Sequence, residues 1–233
     1  MSRHVGIVAC SAEGAALCYR TICAEAAPRM GEHNHPEVSL HTFPLARYMA
    51  PIRAGDWDAV AELMLASARK LASVGAELAV CPDNTIHQAF DRAAARSPIP
   101  WLHIARTVAG VARERGLSRL AVLGTKYLMT GPVYPEALDR LGLWHAIPEA
   151  GEREEIDRII FEELVYGRCL PASRAYLAGV TRRLREQGCD AVVLGCTEIP
   201  LLVGVDDDWP LPTLDSTRLL ARAALDEALR PSA

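Results

Sequence analysis

Short apolar, β-branched runs alternate along this chain with longer segments of helical period, and that alternation constrains the fold more than any other feature. Val5-Gly6-Ile7-Val8-Ala9-Cys10 reads as a buried strand, Glu37 to Phe43 as a second and Glu77 to Cys81 as a third. A helix is expected from Asp56, a natural N-cap, to Val74, closed by Gly75. Trp101 to Ile104, Arg119 to Leu123, Asp190 to Gly195 and Pro212 to Asp215 continue the strand series. Helical patterns run up to Gly116, over Glu152 to Tyr166 and over Ala172 to Gln187. Continuous apolar strands separated by helices form parallel sheets covered on both faces. The expected fold class is α/β.

Composition narrows the function classes. The chain has 233 residues, half of them apolar and 23% charged, with a formal charge of −4 from 25 Lys+Arg against 29 Asp+Glu. No basic stripe marks a nucleic-acid partner. No apolar run reaches the 18 or so residues that span a bilayer, and the opening MSRHVGIVAC lacks a secretion signal, so a cytoplasmic protein is expected. Seven cysteines, at 10, 18, 23, 81, 169, 189 and 196, show no CxxC spacing and read as thiols. His33, His35 and His41 follow no recognised metal-ligand spacing, and neither GxGxxG nor GxxxxGK[ST] is present.

The strand ends carry the chemistry. Ala76 to Thr85 (AELAVCPDNT) echoes Cys189 to Glu198 (CDAVVLGCTE): each follows a helix-closing glycine and runs through a buried strand into a polar turn, 113 residues apart (196 − 83). Ligands of parallel sheets bind at the carboxyl ends of strands. Cys196 stops one such strand, where a following helix would favour a thiolate. Asp83, Asn84 and Thr85 stop the other; all three types cap helices, and Asn84 and Thr85 can also donate to a substrate carboxylate. His87 falls one turn further on, as a supporting residue or a base. Ser11, Thr125 and the run Asp215-Ser216-Thr217 end further strands and offer hydroxyl and backbone donors to an anion.

These residues resemble the aspartate/glutamate racemase superfamily of PLP-independent enzymes, and its aspartate racemase branch more than its glutamate branch. The likeness rests on Asn84-Thr85-Ile86-His87, Leu194-Gly195-Cys196-Thr197-Glu198-Ile199-Pro200, Ser11-Ala12-Glu13, Trp101 to Ile104, Leu123 to Met129, Ile159 to Leu164 and Asp215-Ser216. It implies two pseudo-symmetric α/β halves, here 1–104 plus 212–233 and 105–211, with substrate in the cleft between them. It implies a cofactor-independent isomerase and a homo-oligomer, acting on a small amino or carboxylic acid. Two cysteines on opposite faces of Cα would exchange its proton, because inversion needs proton transfer on both faces. Cys196 matches the second cysteine. Thr197 and Glu198 fall beside it, with Ser11, Arg47, Asn84, Thr85 and Thr125 as further substrate-binding positions and His87 as a support.

Two positions depart from the family pattern. Asp83 stands where the first cysteine is expected, with Cys81 two residues earlier. A carboxylate is a weaker base than a thiolate by roughly 6 kcal/mol of proton affinity, so Asp83 must be held protonated to act as an acid at neutral pH. Tyr166 stands where a lysine would help bind a distal carboxylate, which argues against strict aspartate specificity. Three readings stay open: a two-base racemase or epimerase using Cys196 and Asp83, single-face Cys196 chemistry (decarboxylase, cis–trans isomerase or lyase), and a lapsed small-acid binding protein.

Overall fold

Every strand pair among the described residues is parallel, and the strands form two four-stranded sheets with helices around them. The computed structural model describes residues 2–204 and 208–230. Contacts divide the chain into Met1–Thr107 with Thr217–Ala233, and Val108–Ser216.

The first unit contains β1 (Val5–Ala9), α1 (Ala12–Met30), β2 (Val38–Thr42), α2 (Leu45–Ala54), α3 (Trp57–Ser73), β3 (Leu78–Val80), α4 (Phe90–Ala94) and β4 (Trp101–Leu102). Its strand order is β2-β1-β3-β4. The central strand β1 is buried along its whole length, as its unbroken VGIVA run requires. Val5, Ile7 and Ala9 pack with Ala15, Cys18 and Ile22 of α1. On the opposite face Gly6 admits α3: a Cβ there would lie 3.2 Å from the Leu71 Cβ and 3.0 Å from the Ala76 Cβ. Asp56 caps α3 as expected, accepting from the Ala59 amide at 2.9 Å, and Gly75 turns the chain out of it with φ of 96°.

The chain crosses into the second unit within α5 (Ile104–Glu114). There follow β5 (Arg119–Leu123), α6 (Lys126–Met129), α7 (Val133–Asp139), β6 (Trp144–Ala146), α8 (Ala150–Glu162), α9 (Pro171–Glu186), β7 (Ala191–Leu194), α10 (Pro200–Val203) and β8 (Thr213–Asp215). The order β6-β5-β7-β8 repeats that of the first sheet. Ala121, Leu123, Val192 and Leu194 of the central strands pack against Ile156, Ile159 and Ile160 of α8 and Leu177, Val180 and Leu184 of α9. From β8 the chain enters α11 (Ser216–Ala228), whose Leu220, Ala221 and Ala224 return to the first core.

Three elements differ from the sequence expectation. The segment from 212, grouped with the N-terminal half, gives its strand to the second sheet, where β8 pairs with β7, and its helix to the first unit. The expected helix over 152–166 stops at Glu162, and a separate turn spans Leu164–Tyr166. Glu163 breaks it with φ of −121°, its buried carboxylate accepting from the Ser173 hydroxyl and, at 3.0 Å, from Arg158. The edge strand β6, with the sequence WHA, has no alternation long enough to read as a strand. No described helix is long and apolar enough to cross a membrane.

Candidate active site

The carboxyl ends of the central strands lead into the candidate residues in both sheets. In the first sheet the last β1–β3 pair is Ile7 with Val80, and Cys10 and Asp83 follow beyond these strands. In the second the last β5–β7 pair is Leu123 with Leu194, and Thr125 and Cys196 follow beyond them.

Asp83 is half-buried and leads into the short helical turn Thr85–Ala89. Its Oδ1 accepts from the Ile86 amide at 3.1 Å, a cap that Asn84 does not provide. Its backbone carbonyl accepts from His87 Nδ1 at 2.6 Å, while His87 Nε2 accepts from the Ile104 amide at 3.2 Å. Both ring nitrogens are engaged, and burial lowers the His87 pKa to about 4, so the ring is neutral and braces the turn against α5. Asn84 and Thr85 are buried beside it. Ser11 caps α1, accepting from the Gly14 amide at 3.3 Å. Cys81 is fully buried, and desolvation first, then Asp83, drive its thiol well above the usual range, holding it as S–H.

In the second unit Cys196 follows Gly195, and no side chain larger than hydrogen fits at that glycine. A Cβ would lie 2.6 Å from the Leu123 carbonyl oxygen, which accepts from the Gly195 amide at 2.7 Å. The chain beyond Cys196 is a turn, and α10 begins only at Pro200 and has four residues. The helix-terminus support expected for a thiolate is thus absent at Cys196 itself. A carboxylate occupies the thiol instead: Cys196 Sγ donates to Glu198 Oε2 at 2.9 Å, and Thr197 Oγ1 donates to the same oxygen at 2.9 Å. All three side chains are buried. Thr125 caps α6, accepting from the Leu128 amide at 3.2 Å. Ser216 donates to the Leu194 carbonyl at 2.8 Å, fixing β8 to the end of β7.

Arg47 lies exposed in the first turn of α2, its guanidinium 4.2 Å from the centre of the Phe43 ring. Tyr166 is 72% exposed, in the turn beyond α8. Three further residues were not singled out by the sequence. Cys10 lacked a motif and is buried at the end of β1. Asp157 accepts from the Lys126 amide at 2.9 Å, holding the turn after Thr125; burial raises its pKa, partly opposed by Lys126. Tyr48, in α2, is fully buried. Among the described residues no group of three or more His, Cys, Asp or Glu could hold a metal ion.

Residues 7–224 match the Asp/Glu/hydantoin racemase family. The chain belongs to that family. A candidate Asp/Glu racemase from Yersinia pestis is 32% identical, with a TM-score of 0.88 over 98% of this chain and 100% of its own. An aspartate racemase homologue from Pyrococcus horikoshii is 27% identical, with a TM-score of 0.84 over 99% and 100%. Glutamate racemase RacE1 from Bacillus anthracis, at 15% identity and a TM-score of 0.66 over 95% of this chain and 79% of its own, shares the two-sheet α/β fold. A racemase-type activity on a small amino acid follows from this membership, and in this family member the strand-end positions are held by Asp83 and Cys196.

Proposed function

We propose that the protein is a cofactor-independent racemase or epimerase acting at Cα of an acidic or related amino acid. The Cys196–Glu198 contact carries the reading, because a buried carboxylate accepting from a thiol provides a place for the thiol proton. The Cys196 thiolate takes the Cα proton, breaking C–H and forming S–H, and the electron pair moves into the substrate carboxyl group. The Asp83 carboxyl gives its proton to the opposite face, breaking O–H and forming the new C–H. The reverse direction exchanges the roles. Ser11, Asn84, Thr85, Thr125 and Thr197 supply donors to the substrate carboxylates, Arg47 supplies a cation, and His87 holds the Asp83 turn. Exposed Tyr166 in place of a cation favours a broader acid substrate than aspartate alone. The protein works as a cytoplasmic homo-oligomer in this reading.

Solvent deuterium entering Cα tests the proposal across aspartate, glutamate and related amino acids, with chiral chromatography on the same samples. Incorporation with inversion, lost in Cys196→Ala, is the expected result. Incorporation without inversion would replace the two-base reading with single-face Cys196 chemistry, and no incorporation with any tested acid would leave a binding protein.

A further inference from the structure

The turns that carry Thr125 and Cys196 meet across one buried side chain, that of Leu128 in α6. Gly124 follows β5 and Gly195 follows β7. Leu128 Cδ2 occupies the room that a side chain on either glycine would need. It lies 2.7 Å from where a Cβ on Gly124 would stand and 2.6 Å from where one on Gly195 would stand. Neither glycine has a positive φ, so their missing side chains answer to space and not to backbone conformation. At Gly195 the Leu123 carbonyl oxygen excludes a Cβ as well, at 2.6 Å. At Gly124 Leu128 is the one close obstacle among the described residues; the next atoms are the Gly195 carbonyl carbon and oxygen, both at 3.3 Å.

Leu128 also sets the Thr125 turn. Its amide donates to Thr125 Oγ1 at 3.2 Å and to the Thr125 carbonyl at 3.0 Å. The buried Asp157 carboxylate holds the same turn from α8 through the Lys126 amide at 2.9 Å. On the β7 side, Gly195 is tied to the Leu123 carbonyl at 2.7 Å, and the next residue, Cys196, donates to Glu198 at 2.9 Å. Moving Leu128 therefore moves the residue before the thiol and loosens the hydrogen bond that orients the Thr125 hydroxyl. Packed interiors register even one methylene, and a reacting group displaced by about 1 Å loses about 10²-fold in rate.

We infer that Leu128 is a positioning residue: seated on Gly124 and Gly195, its side chain fixes the separation of the Thr125 hydroxyl from the Cys196 thiol. It acts through the two turns and carries no proton itself. The inference rests on Thr125 and Cys196 working together in the proposed reaction.

Gly124→Ala and Leu128→Val, each in the full chain, disturb this seat in opposite ways. The first forces a methyl into an occupied place, and the second empties that place while keeping a branched apolar side chain. The combined Gly124→Ala/Leu128→Val chain puts a methyl back between the two turns, resting on Gly195. The rate at which iodoacetamide modifies Cys196, read by peptide mass spectrometry, reports the thiol without turnover. Each single variant should change that rate about fivefold or more and lower Cα exchange about tenfold, and the combined chain should return both to within about threefold of wild type. A merely structural role would lower the melting temperature and leave the Cys196 rate of the folded protein in place. A wild-type Cys196 rate in either single variant, or a combined chain no nearer wild type than the singles, would overturn the inference. If Gly124→Ala alone does not fold, the combined chain is expected to fold, and its failure also overturns the inference. A wild-type protein that exchanges no Cα proton sinks the proposed function, and the iodoacetamide rates still decide whether Leu128 places the thiol.

Discussion

Asp83→Asn separates chemistry from folding, because the structure shows what each oxygen-bearing end of this side chain does for the backbone. Asp83 Oδ1 accepts from the Ile86 amide at 3.1 Å, and the main-chain carbonyl that receives His87 Nδ1 is untouched by the change. Asparagine keeps an Oδ1 of the same reach and caps as well as aspartate, so the stability cost should stay below about 0.5 kcal/mol. Asp83→Ala loses the cap and should cost about 1 kcal/mol. Neither amide nor methyl can carry a proton to Cα. Loss of a general acid or base costs about 10²- to 10⁴-fold in rate, about 3–5 kcal/mol of barrier. The two variants should therefore differ in melting temperature yet share the same collapse of inversion. Chiral chromatography gives the inversion rate, deuterium content the exchange on the Cys196 face, and a thermal melt the fold. Asp83→Cys, which restores the family pattern, should recover inversion. An Asp83→Asn enzyme inverting within about threefold of wild type would refute the two-base reading and leave Asp83 as a cap.

Glu198→Gln keeps a side chain of the same shape for Thr197 but no longer takes the Cys196 proton; Cα exchange should fall about 10²-fold, and a rate within about threefold of wild type would remove Glu198 from the reaction. His87 gives the structure an acid-sensitive joint. Burial puts its folded pKa near 4, below the unfolded value of about 6.5, so the neutral ring stabilises the fold above about pH 6.5, and this is lost as pH falls towards 4. The group's full contribution is about 3 kcal/mol. Urea unfolding at several pH values should show that loss in wild type and not in His87→Gln; parallel pH dependence in the two proteins would contradict it.

Local pattern made much of this protein legible from its residues alone. The apolar strands, the helix caps at Asp56 and Gly75, and the echo between the Asp83 and Cys196 turns are encoded within short windows, because burial on both faces leaves continuous apolar runs and turns demand particular residue types. The placement of Asp83, Ser11, Thr125 and Cys196 just beyond strands was visible for the same reason. Tertiary structure alone decided which groups meet. Only the turn after β7 folds Glu198 back onto Cys196 where a helix was expected. Glu163, where α8 ends, accepts from Ser173 ten residues on, and β8 joins the second sheet by pairing with β7. Periodicity records which side of an element is buried, whereas hydrogen bonds between distant segments depend on register and packing, which no local window contains.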